Sequence, residues 1–546
     1  MSPAEPRAVE PRAVERRAVE RRAAAPSTPN ASRFPMRLRA RLRARLRALL
    51  LPGLLASGLA GAAACDTDLA VTNPNQRTTD TQFRTAQDAR QATTAAYAGL
   101  LALGTYGRWQ VFNGDLRSDV ATGQRDGGWG ELKNYAAHVV TNYDFEVNIH
   151  TWTDHYRAIN AANQAIAGIP GVQMDAAEQA RLIAEARFLR ALLYFNLVNY
   201  YGGNIPLSLT PQVDPASRPG SSTVAAVYAQ IERDLAESAP ALPTRTQQAA
   251  ADLGRATRGA ALALLGKARL QQRNWSGAAE ALGQVIASGQ YALRPDYTDN
   301  FTDRFENNEE SLFEVQFGDE STLPVNIPGL SFPRMATACG PGFCDVRATR
   351  WYFELFTDRT ADGRLDPRRD ATIFSSESAD RGQRVFQTTL GQLLAPGDTT
   401  RTFRKYTEWY KADRDFQRWD NPINFRVLRY ADVLLMQAEA LNEQGRPAEA
   451  LPLVNQVRAR VGLLPLAGLD QAGARAAIRR ERLLELGMEG QRWFDLVRYG
   501  SLTNDLATLR ARDSEFNSFV VGRSEFLPIP VAETNLNPNV RQNPGY

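Results

Sequence analysis

Apolar residues return every three to four positions along several stretches of this chain, the spacing that turns one face of an α-helix inward. Residues 84–103, 150–168, 177–201 and 223–239 carry it, and each is predicted to be helical. The stretch 177–201 is the longest and is expected to be amphipathic. Two further segments read as tetratricopeptide-type hairpins. In the first, Gly266, Ala278 and Leu282 take the small and packing positions across the turn Arg273 to Gly277. In the second, Tyr430 to Glu443 and Pro447 to Val461 are helices joined through Gln444 to Arg446. These units do not recur at a fixed period. Between them residues 290–425 are rich in Pro, Gly, Asp and aromatics. The pattern is therefore mainly α, a helical scaffold carrying a large irregular lobe rather than a regular solenoid.

The first 64 residues break this pattern. A charged repeat, RAVE-PRAVE-RRAVE, precedes Met36, which is itself a candidate translation start. Arginine then alternates with Leu and Ala up to Arg47. Ala48 to Ala64 carries no charge and ends on Ala62-Ala63-Ala64 before Cys65. A positive region, a short apolar region and a small-residue cleavage site make a secretory signal. The Ala-Ala-Ala-Cys junction resembles the lipobox of bacterial lipoproteins, with Ala62 in place of the usual Leu. That resemblance implies cleavage before Cys65 and acylation there, and two or three acyl chains anchor firmly where one does not. Asp66 and Asp68 give the tether after Cys65 an acidic character.

The signal also distorts the charge balance. The whole chain has a formal charge of +4, but residues 1–64 hold 13 Arg and 4 Glu, so the rest carries −5. A body of that sign has no electrostatic basis for binding nucleic acid. Three Cys and three His are too few for a disulfide scaffold or a rich metal site. No cofactor or metal is expected. Cys339-Gly-Pro-Gly-Phe-Cys344 is a close pair around a turn, and outside the cytoplasm it is expected to form a disulfide.

Four stretches carry a family resemblance. They run from Glu185 to Leu207, from Leu428 to Ala440, from Ile478 to Arg498, and from Phe526 to Tyr546. In order and content they resemble the SusD/RagB family of outer-membrane nutrient-binding lipoproteins, across essentially residues 65–546. The resemblance implies an α-superhelix of tetratricopeptide-like pairs with a loop-rich lobe. It implies a surface-exposed, lipid-anchored protein that caps a TonB-dependent transporter of the SusC/RagA type and performs no covalent chemistry. The nutrient would be an oligosaccharide, or a peptide in some members. On this reading 1–64 is the signal, 65–80 a lipidated tether, 81–289 the N-terminal helical part, 290–425 the insert and 426–546 the C-terminal helical part.

A saccharide binder needs aromatic planes for C–H faces and polar groups for hydroxyl edges. The Gly-rich segment after the first helix has that mix and reads as a loop, offering Trp109, Asn113, Arg117, Asp119 and Trp129. Trp351-Tyr352 and Trp409-Tyr410 or Trp419 offer a second wall from the insert, with packing beneath loops as the alternative. Competing readings remain open. Asp115 and Asp119 would serve as the carboxylates of a glycoside hydrolase, and a ligand-free scaffolding lipoprotein would need no such site. Glu481, Glu485 and Glu489 stand four apart, on one helical face, and call for cations. Arg482, Arg492 and Arg498 are the candidates for a structural network. Trp493, Phe494, Asp432 and Arg429 read as structural too.

Overall fold

The computed structural model describes residues 82–123, 130–212, 218–318, 329–412 and 421–546. Cys65, the signal and the tether lie outside the described residues. Residues 77–546 form one compact unit, so the helical parts and the insert are portions of a single body.

The predicted helices are present, and their starts are written in short polar side chains. Helix α1 (Ala86–Ala98) opens with a reciprocal box in which Thr85 and Asp88 each accept the other's backbone N–H. Helix α2 spans Glu146–Gly168. Helices α3 (Ala176–Tyr201), α4 (Val224–Ser238), α5 (Arg258–Gln271) and α6 (Trp275–Ala287) begin on Asp175, Thr223, Thr257 and Asn274, each accepting from the third helical N–H. After the insert come α7 (Tyr430–Glu443), α8 (Pro447–Arg460), α9 (Gln471–Leu486) and α10 (Arg492–Tyr499). Each helix from α1 to α6 packs on its neighbour, and α6 packs directly on α7. The superhelix thus runs on as if the insert were absent. At the α5/α6 crossing a Cβ on Gly266 would sit 2.5 Å from Leu282 Cγ, which is why that position is glycine.

One expectation fails at α3. It is not amphipathic: every residue from Phe188 to Tyr201 is buried. A helix enclosed on all sides needs apolar residues all round, and α3 is the axis about which α2, α4 and the C-terminal segment pack.

Two antiparallel ladders tie the insert down. Strand β2 (Ser311–Val315) pairs with β8 (Phe425–Arg429), closing the insert at its base. A four-stranded sheet has the order β1 (Ala121–Gly123), β3 (Val346–Ala348), β7 (Thr402–Phe403), β4 (Ile373–Phe374). A hairpin of β5 (Arg384–Val385) and β6 (Thr388–Thr389) completes the strands. Since β1 belongs to the segment after α1, this sheet stitches that segment to the insert.

The expected network exists, with different partners. Arg368, Lys405, Arg429, Arg458, Arg460 and Arg480 interlock with Glu310, Asp358, Asp366, Glu481, Glu485 and Glu489. Six cations thus meet six anions. Helix α9 ends at Leu486, so Glu489 is not on its face; a turn with Met488 and Gly490 at positive φ swings it back onto Arg429 and Lys405. The cations come from the insert, β8 and α8, with Arg480 from α9 itself. The three arginines expected as partners point elsewhere: Arg482 to Asp432 and Asp495, Arg498 to Glu439 and Asp495, Arg492 to Asp119. Trp493 and Phe494 are buried in the main core, and Asp432 and Arg429 are ion-paired inside it.

Candidate functional site

Where β1 and β3 end, the surface opens into a cleft of about 600 Å³. Its walls are Thr122 and Gly123 of β1, Arg347 to Arg350 at and after β3, Thr399 to Arg401 before β7, and Arg512 to Ser514 from the C-terminal part. Pairing fixes the floor: Thr122 faces Arg347, and Arg347 in turn faces Thr402. Ala348 N–H donates to Arg401 O at 2.9 Å. Thr349 caps the helix Arg350–Glu354, accepting from Tyr352 N–H while its hydroxyl donates to Asp119 O at 2.7 Å.

Four guanidinium groups line this cleft, each differently held. Arg347 donates through Nε to Cys344 O at 3.3 Å, and its Nη2 lies 3.6 Å from Cys344 Sγ and 3.9 Å from Cys339 Sγ. Those two cysteines are joined as a disulfide. Arg350 pairs with Glu354 at 2.6 Å, both well exposed. Arg401 pairs with Glu377 at 2.8 Å and lies over the Phe353 ring at 4.7 Å. Arg512 lies over the Trp351 ring at 4.4 Å and reaches Asp119 at 3.1 Å. Burial lowers the Arg512 pKa from its usual value, with Asp119 opposing the shift. Thr122 completes the polar lining, its hydroxyl donating to Glu515 at 2.6 Å.

A family model described as "Starch-binding associating with outer membrane" matches residues 73–270, and one described as "SusD family" matches residues 309–546. The chain belongs to the SusD family. SusD-like protein P25 of Formosa agariphila is 28% identical over 421 residues, 71% of this chain and 77% of that one. A SusD superfamily protein from Bacteroides vulgatus superposes with a TM-score of 0.74 at 26% identity, over 84% of this chain and 99% of that one. A laminarin binding SusD-like protein gives 0.67 at 27% identity, over 85% and 100%.

In this SusD-family chain the segment after α1 is not the open loop its glycines suggested. It winds inward as irregular turns over Leu103–Gly107, Trp109–Val111 and Phe112–Leu116. Its glycines serve close packing. A Cβ on Gly104 would meet His150 O at 1.9 Å, and one on Gly114 would meet Gly490 O at 2.2 Å. Four proposed ligand contacts are consequently enclosed. Trp109 has no exposed surface and packs on Phe112. Asn113 donates to Thr151 Oγ1 at 2.9 Å and accepts from the Tyr135 hydroxyl. Arg117 donates to Ser524 O at 2.8 Å and lies 4.2 Å over Trp493. Asp119 takes Arg492 on both oxygens and shares one with Arg512. These four are buried and hold the body together.

Trp129 and Trp419 lie outside the described residues. Tyr352 is buried. Trp409 is partly covered by Arg404 at 3.8 Å, and Tyr410 donates to Asp303 at 2.7 Å. Among the described residues, Trp351 stands next to the cleft, beneath Arg512. The pair cast as hydrolytic carboxylates does not line it. Asp115 is buried and accepts from Gly490 and Arg492 N–H at 2.7 and 3.4 Å; burial pushes its carboxyl up to about 7 against those two bonds. Among the described residues no group of three or more His, Cys, Asp or Glu is placed to hold a metal ion, and no helix is long and apolar enough to cross a membrane.

Sequence reasoning missed the cleft arginines. A signal for Arg347 existed: in Val346-Arg347-Ala348 the alternation of a strand turns Val346 and Ala348 inward and the Arg out. No comparable signal marks Arg512, whose place depends on a fold-back of the C-terminal part.

Proposed function

We propose that this chain is a cell-surface receptor of the bacterial outer membrane that binds an oligosaccharide in the β1/β3 cleft. Lipid at Cys65 would hold it there, and a TonB-dependent transporter of the SusC/RagA type would receive the ligand. One observation carries the reading. A polar cleft of about 600 Å³ lies where the segment after α1 is stitched to the insert, and the hydroxyls of Thr399 and Thr400 in its lining suit the hydroxyl edges of a sugar chain. Placed polar groups in a preformed cleft on a rigid frame are how a binder orients a ligand. The relative named for laminarin binding and the model named for starch binding agree with a saccharide ligand. The enclosure of Asp115 and Asp119 favours binding over hydrolysis.

The test is affinity electrophoresis of the purified chain against a polysaccharide panel, with product analysis of the incubated glycans. At least one glycan should retard migration without being cleaved. Thr400→Trp, which fills the cleft from a partly exposed loop, should abolish retardation and leave the melting temperature unchanged. Retardation by none of the panel, or retardation indifferent to Thr400→Trp, rejects this assignment. Co-purification of the native lipoprotein with a transporter from detergent-solubilised outer membranes tests the partnership.

A further inference from the structure

We propose that the oligosaccharide taken by this cleft is acidic, its carboxylate or sulfate groups being read by Arg347 and its neighbouring guanidiniums. The inference rests on the β1/β3 cleft being the saccharide site and goes on to name the class of saccharide. Three observations carry it.

The first is the composition of the walls. Arg347, Arg350, Arg401 and Arg512 line the cleft, with Asp513 the one carboxylate among the described lining residues. No aromatic ring is among those lining residues. The nearest, Trp351, is covered by Arg512. Neutral sugars are held largely by stacking their apolar faces on rings. This cleft instead presents planar donor forks, which match carboxylate and sulfate oxygens two at a time.

The second is how Arg347 is held. Its hydrogen bonds run to a backbone carbonyl and to the two disulfide sulfurs. They fix the side chain in place, and among the described residues Asp345 offsets its charge only through space, without an ion pair. A guanidinium positioned by the Cys339–Cys344 loop in the lining of a cleft is organised for an incoming anion.

The third is charge balance around the other arginines. Arg512 shares the Asp119 carboxylate with Arg492, so two cations stand on one anion. Arg350 and Arg401 are paired with Glu354 and Glu377, whose side chains are more than half exposed. Such surface pairs are weak and exchange partners at little cost. The lining itself is therefore positive, four guanidiniums to the one carboxylate of Asp513, with their partner carboxylates outside it, although the body after residue 64 is net negative.

The experiment compares three immobilised or titrated glycans with the purified chain. Polygalacturonate supplies carboxylates, a sulfated galactan supplies sulfate esters, and laminarin is neutral. One acidic glycan should bind roughly tenfold or more tighter than laminarin, the discrimination expected of charge-assisted hydrogen bonds. Its affinity should fall about tenfold between 50 and 500 mM NaCl, as screening predicts. Arg347→Gln should lose about tenfold with an unchanged melting temperature, and Arg347→Lys should lose less. Thr400→Trp should abolish binding. Which acidic glycan binds tells carboxylate from sulfate. Laminarin binding as tightly as either polyanion, blocked by Thr400→Trp yet indifferent to Arg347→Gln, overturns the acidic class while leaving the cleft as a saccharide site. Acidic-glycan binding unaffected by Thr400→Trp places the anion site elsewhere and also overturns the proposal. Binding of none of the three removes the saccharide reading together with it.

Discussion

Glu485 has no exposed surface and meets three guanidiniums: Arg460 at 2.5 Å, Arg429 at 3.0 Å and Arg368 at 3.2 Å. Burial alone would raise its carboxyl, but Arg460, Arg429 and Arg368 outweigh that and hold it well below the usual carboxylate range. Glu485→Gln preserves shape and removes one charge. It leaves six cations facing five anions, and it turns an amide donor toward guanidinium donors. Breaking a buried pair in this way costs about 3–5 kcal/mol. The entropy of unfolding is about 2.1 cal/mol/K per residue, so for residues 77–546 it is roughly 1 kcal/mol/K and the melting temperature should fall about 3–5 °C. Differential scanning calorimetry measures this directly. Glu449→Gln is the control, since Glu449 pairs only with exposed Arg446 and its loss should leave the melting temperature unmoved. Adding Arg460→Met to Glu485→Gln restores the balance, so the double variant should lose less than the two single variants together. A fall below 1 °C for Glu485→Gln, or strict additivity in the double variant, would refute the claim that this cluster acts as a charge-balanced unit.

Acid should weaken the fold from the same cluster outward. The folded pKa values of Glu485, Asp432 and Asp495 all lie below their ordinary values, so the unfolded chain takes up protons first and stability falls as pH drops below about 5; a melting temperature constant from pH 6 to pH 4 would contradict this. Asp115 runs the other way, because its folded carboxyl is pushed up to about 7 and its own contribution declines as pH rises from about 4 to 7. Gly104→Ala should destabilise by at least about 2–3 kcal/mol, since its Cβ would lie 1.9 Å from a backbone oxygen, whereas Gly171→Ala, with open space around it, should melt with the wild type. In the folded, unreduced protein Cys339 and Cys344 should resist iodoacetamide and each take one label after reduction; labelling without reductant would contradict the pairing.

Helices were legible because their signals are local. A capping residue, an apolar period and a small residue at a crossing all lie within one or two turns, and α7 and α8 follow from such signals almost to the residue. The interior charges were legible in kind and not in pairing. Three glutamates near one helix demand cations, yet their partners are Arg368, Lys405, Arg429, Arg458 and Arg460, between 23 and 117 residues away. Sequence neighbours such as Arg482 were drawn to other carboxylates. The ligand residues misled for a single physical reason. Gly, Trp, Asn and Asp mark exposed loops, but they also mark a backbone that must pass within van der Waals contact of another. Gly104 and Gly114 are of the second kind, and nothing local distinguishes the two.

Asp119 shows what the enclosed residues do for the cleft they do not line. Its carboxylate holds Arg492, the first residue of α10, and Arg512, a wall of the cleft. Its carbonyl accepts from Thr349, which caps the short helix bearing Trp351. Three segments remote in sequence meet on this one buried residue, and two of them line the opening. With Gly490 brought onto Asp115 only four positions away, the segment after α1 is the keel on which the cleft is assembled. Asn113, Asp115 and Asp119 are each hydrogen-bonded within the protein, so the backbone beneath the cleft is held before any ligand arrives. A rigid floor beneath weakly committed arginines reconciles a firm scaffold with a surface free to exchange its counter-charges for those of a bound chain.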